Sequence, residues 1–118
     1  MPKIDEEEFR AIIDKASVLM LKMQRKIIQR HVINKLVGLK ADSAIVTMGA
    51  CDCMLNTYLN MIMDFYKNVG FLYKNGESIN AKQIISFNDY IDTTEDNFLR
   101  GIKALKNIHH QEFANQMN

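Results

Sequence analysis

The chain has no tryptophan, one proline (Pro2), five glycines and two cysteines in 118 residues. With proline confined to position 2, no ring geometry breaks a helix downstream. Five glycines leave little material for loops, and two cysteines cannot build a disulfide framework. No stretch suits a membrane span either, because the most apolar region, 44–63, is interrupted by Asp52, Asn56 and Asn60. The opening segment MPKIDEEEFR lacks the apolar core of a secretory signal. A formal net charge of +1 removes global attraction to a polyanion. These absences predict a single cytoplasmic domain over residues 1–118 that does not enter a membrane.

Motifs that carry chemistry are equally scarce. There is no glycine-rich phosphate loop and no G-x-S-x-G elbow. His109 and Glu112 share a helix face, but a di-iron site needs two Glu-x-x-His motifs and two further glutamates. His31 continues the apolar stripe of Ile27 and reads as a hydrogen-bonded residue at the edge of a core. Cys51 and Cys53 are the remaining candidates. Helical geometry turns them about 160° apart, so they can share neither a zinc ion nor a disulfide. Cys51 then belongs to the core and Cys53 to a surface. The sequence predicts no enzyme activity, no catalytic residues, no cofactor and no metal.

What the sequence does contain is helix periodicity. Asp5 and Glu8 form a capping-box pattern. Phe9, Ile12, Ile13, Ala16, Leu19, Met20, Met23 and Ile27 then recur at three- and four-residue spacing towards Gly38. Asp42 or Ser43 can cap a second helix, in which Met48, Leu55, Ile62 and Val69 repeat every seven residues. KNGES at 74–78 marks a turn. Beyond it, Ile84, Phe87 and Ile91 suit a short helix, although QIISF alone also fits a strand. DTTED at 92–96 reads as a break and a fresh acidic helix start. The expected fold is an all-α bundle: a long antiparallel hairpin (about 5–37 and 42–74) with two shorter helices (about 80–91 and 94–114).

Two features rise above this background. Between Asp14 and Asp42 there is no acid, whereas Lys15, Lys22, Arg25, Lys26 and Arg30 are all basic, the first four on one helix face. Residues 41–100 carry eight acids against four bases. Complementation between neighbouring helices or subunits explains this segregation, and an anion-binding stripe is the alternative. The stripe has no interleaved aromatics for base stacking, so nucleic acid is disfavoured.

The second feature is surplus apolar surface. Leu21, Ile28 and Val32 lie away from the main stripe of the first helix. Met48, Met54, Leu55, Met61 and Ile62 belong to an apolar arc on the second that is wider than one core needs. These eight residues form the expected oligomer interface. The sequence therefore predicts a non-catalytic binding protein (adaptor, chaperone, inhibitor or regulator) that partners itself, most simply as a homodimer. Alternatives are another protein, or an anionic ligand or nucleic acid held by Lys15, Lys22, Arg25, Lys26 and Arg30. An enzyme with an active site at an interface is the least supported class.

Overall fold

The computed structural model describes residues 6–37, 42–74 and 81–117. They form three helices: α1 (Glu6–Val37), α2 (Asp42–Lys74) and α3 (Ala81–Met117). Asp5, Gly38 and most of the KNGES turn lie outside the described residues. The hairpin bounds match the sequence reading. Contacts along the bundle set the topology. Phe9 meets Phe65, and His31 meets Asp52, so α1 and α2 run antiparallel. Phe65 stacks on Phe87 and Tyr58 on Tyr90, which makes α3 antiparallel to α2. Lys15 reaches Asp92 and Lys22 reaches Glu95, so α3 is parallel to α1.

The third helix is the main departure from expectation. α3 is one helix of 37 residues, and neither a strand at 84–87 nor a break at 92–96 is present. Its core stripe runs Phe87, Ile91, Thr94, Phe98, Ile102 and Leu105, all buried. Thr94 therefore keeps the three- and four-residue spacing across the segment that looked like a break. The acids of DTTED are not a helix start. Asp92 and Glu95 project from the side of α3 to Lys15 and Lys22 of α1, at 2.9 and 3.1 Å. These pairs are half exposed, and each contributes about 0.2–1 kcal/mol.

A helix of this length spans about 55 Å, so α3 covers the hairpin from end to end. Met48 is buried in the chain's own core, and Met54, Leu55 and Ile62 pack against it half-buried. The second-helix part of the expected oligomer surface is thus largely used within the chain. The core alternates bulky and small layers. At one end Phe9, Phe65 and Phe87 join all three helices through their rings, with centroids 6.4 and 3.8 Å apart. Next to them, buried Tyr58 donates its hydroxyl proton to the Ala16 carbonyl at 2.7 Å.

Further along, α2 and α3 approach closely where Cys51 faces Gly101. A Cβ built on Gly101 would lie 2.9 Å from Cys51 Sγ. The glycine is therefore a spacing requirement, one that outweighs its helix cost of about 1 kcal/mol relative to alanine. Gly101→Ala is expected to lower stability by about 1–3 kcal/mol through overpacking. Adding Cys51→Ala should restore part of the loss. Urea denaturation checks both, and a gain in stability from Gly101→Ala alone would contradict the close contact.

Candidate functional site

The outer face of α1 carries the clearest unpartnered surface. Ala16, Leu19, Met23 and Ile27 turn inward and are buried. On the opposite face Val18, Leu21, Ile28 and Val32 are 66%, 58%, 62% and 52% exposed. Arg25, also exposed, sits among them. The spacing 18, 21, 25, 28, 32 alternates three and four residues, the pattern of a helix seam that packs against another helix. α1 therefore has two apolar faces back to back, and its own bundle covers one. Leu36, Ile45 and Val46, near the α1–α2 junction, are exposed as well.

Of the eight expected interface residues, Leu21, Ile28 and Val32 remain on the surface, and Met61 is 40% exposed. The sequence reading did not include Val18 or the continuation of this line through Glu7, Ala11 and Asp14. All four are exposed at the same spacing. The signal is a seven-residue repeat that runs through charged and small residues as well as aliphatic ones.

The basic residues separate into three environments. Lys15 also donates to Asn88 Oδ1 at 2.6 Å, so Lys15 and Lys22 are both held by α3. Arg25 and Lys26 have no ion-pair partner among the described residues. Arg30 is 7% exposed, and its Nε and Nη2 have no hydrogen-bond partner among the described residues. The five residues therefore do not act as one stripe. Asp52 lies 3.4 Å from His31 Nε2.

Arg30 belongs to a polar end of the bundle. The ion pairs of Lys15 and Lys22 set α1 against α3 with an offset that brings Asn34 level with His109. Asn34 Oδ1 and His109 Nδ1 are buried acceptor-capable atoms with no hydrogen-bond partner among the described residues. This end thus collects buried donors and acceptors that complement each other in kind. At the other end, a shallow cleft of about 480 Å³ between α2 and α3 is floored by Phe65, Phe87 and Tyr90, with Asp64 and Lys82 at its edge.

The cysteines match their sequence assignment: Cys51 is buried, Cys53 exposed, and they are not bonded to each other. Burial, and then the neighbouring Asp52 carboxylate, push the Cys51 thiol up from its ordinary 9.0. Burial also raises the Tyr58 hydroxyl, with Tyr90 and Glu95 adding to the shift. Among the described residues, no group of three or more His, Cys, Asp or Glu side chains could hold a metal. No described helix is long and apolar enough to cross a membrane. No family model, curated protein or solved structure matches the chain.

Two predictions arise from these buried polar groups. Holding two of the three guanidinium nitrogens of Arg30, Nε and Nη2, out of water without a partner is costly. Arg30→Met, of similar length and apolar, is therefore expected to hold or raise stability, by up to about 4 kcal/mol. A large loss in thermal or urea denaturation would show that the guanidinium is satisfied. The raised Cys51 and Tyr58 groups keep protons that the unfolded chain releases. Their contribution is complete below about pH 8, under the unfolded thiol's value, and is lost as pH rises through their folded values. The urea midpoint should thus fall between about pH 8 and about pH 10.5, and Cys51→Ala should remove the first part of that fall. An unchanged midpoint would contradict the burial of both groups.

Proposed function

We propose that this chain is a non-catalytic helical interaction protein that works as a homodimer, with the outer face of α1 as its contact surface. The observation that carries this reading is the line of Val18, Leu21, Ile28 and Val32, exposed on a helix whose other face is already in the core. Each such side chain gains about 1.5–3 kcal/mol when fully buried, and scattered surface aliphatics do not fall on one seam.

The shape of the molecule supports it. The bundle measures 65 × 20 × 18 Å, with a radius of gyration of 18.4 Å, against about 13.5 Å for a compact domain of this length. Its accessible surface is 8057 Å², where a compact monomer of this mass exposes about 6,600 Å². A thin three-helix rod leaves surface that a second rod can cover. The reading keeps the protein in the cytoplasm, where a reduced thiol such as Cys51 persists.

Anion binding by the basic residues of α1 is weakened as an alternative. Lys15 and Lys22 are engaged by Asp92 and Glu95, and Arg30 is buried. Of the five residues expected to form the stripe, that leaves Arg25 and Lys26, too few for a polyanion site. Light scattering coupled to gel filtration at micromolar concentration is expected to give about twice the 13.6 kDa chain mass. Ile28→Glu combined with Val32→Glu should yield monomers with their helical circular dichroism retained. A wild-type protein that stays monomeric and soluble at high concentration would overturn the reading.

A further inference from the structure

We propose that the second copy lies antiparallel along α1, in the register that sets Arg25 of each chain against the partner's Asp14. The proposal rests on the homodimer reading above and specifies its geometry. Starting at Glu7, the exposed line of α1 advances by four and three residues in strict alternation as far as Lys35. A repeat of seven residues keeps such a line facing one neighbour along its whole length, about 42 Å, with slight supercoiling.

Charge selects the orientation. Two copies packed parallel and in register would set each residue against itself, so Glu7, Asp14, Arg25 and Lys35 would each meet a like charge. Antiparallel packing pairs different residues. One register places Val18 against the partner's Leu21 at the centre and Arg25 against the partner's Asp14 on either side. Beyond these, Ile28 faces the partner's Ala11, and at each end of the seam Val32 meets the partner's Glu7, whose carboxylate can reach water at the rim. Neither Asp14 nor Arg25 has an ion-pair partner among the described residues of its own chain, so both are available for this contact. Sliding one heptad in one direction sets Arg25 against Leu21 and Asp14 against Val32, which pairs no charges. Sliding the other way pairs Arg25 with Glu7 but sets Val18 against Asp14 and leaves Val32 beyond the overlap.

The surface relief fits the same register. Glu7, Arg10, Ala11 and Asp14 line a depression on α1. Their spacing of i, i+3, i+4 and i+7 is that of the four-residue hole that receives a side chain from a facing helix. The small Ala11 leaves room there, and the proposed register delivers the partner's Ile28 to that place. Lys15 and Lys22 would flank the seam close to their counterparts, but each is neutralised by an acid of α3.

Charge reversal tests the register. Asp14→Arg alone or Arg25→Asp alone places like charges in two symmetric layers and should weaken dimerisation by about tenfold or more. The double variant Asp14→Arg with Arg25→Asp should recover wild-type affinity. A second readout uses a Cys53→Ser background, in which Val18→Cys and Leu21→Cys chains are mixed and oxidised. Disulfide-linked heterodimers should form faster than either self-linked species. A wild-type dimer without rescue in the double variant, or with preferential self-linking of Val18→Cys chains, would overturn the register while leaving the homodimer standing. A wild-type monomer would overturn both.

Discussion

In a bundle of three helices each member touches two neighbours, so roughly half of its circumference stays open to water. This constraint governs the whole molecule, because α1 has apolar residues on both halves. Its inner face is bound by Met23 and Leu19 in the core and by the Tyr58 hydroxyl on the Ala16 carbonyl. The helix cannot turn to bury Val18, Leu21 and Ile28 without exposing those groups. α3 cannot reach them either, since it lies in the groove between α1 and α2 and is pinned there by Lys15 and Lys22. Val18, Leu21, Ile28 and Val32 therefore stay on the open half of α1.

The charge distribution follows from the same arrangement. Basic residues concentrate on α1, and Asp92 and Glu95 face it from α3, so charge complementarity within the chain agrees with the parallel register that the core sets. What remains unmatched is informative in two ways. Arg25 and Asp14 are exposed and lie on the outer seam, where a second copy can match them. Arg30 is buried at the polar end, close in register to Asn34 and His109. Such a group adds little to stability.

Much of this architecture was legible in the sequence, because the hairpin is written in unbroken three- and four-residue spacing with few glycines. The bounds of α2 followed from Asp42 and the KNGES segment, and the separation of Cys51 from Cys53 followed from helical phase alone. α3 was misread for a physical reason. Asp92, Thr93, Thr94, Glu95 and Asp96 have the local composition of a helix start, but nothing in them forbids helix interior. Tertiary partners decided the matter: Thr94 fills a core position, and Asp92 and Glu95 answer lysines some 73–77 residues away. That error propagated to the candidate surface. Two short helices could not have covered Met48, Leu55 and Ile62, whereas one continuous helix does. Burial of Arg30 was also out of reach, since a long basic side chain on a helix edge can turn either way.

The central claim is that the outer face of α1 is a contact between two copies of the chain. Isotope-filtered methyl NMR on a mixture of labelled and unlabelled protein tests it most directly, because only contacts between different chains give signal. The account predicts intermolecular contacts from Val18, Leu21, Ile28 and Val32, and none from Met63 of α2 or Ile85 of α3. Contacts confined to Met63 and Ile85, or the absence of intermolecular signal at millimolar concentration, would contradict it.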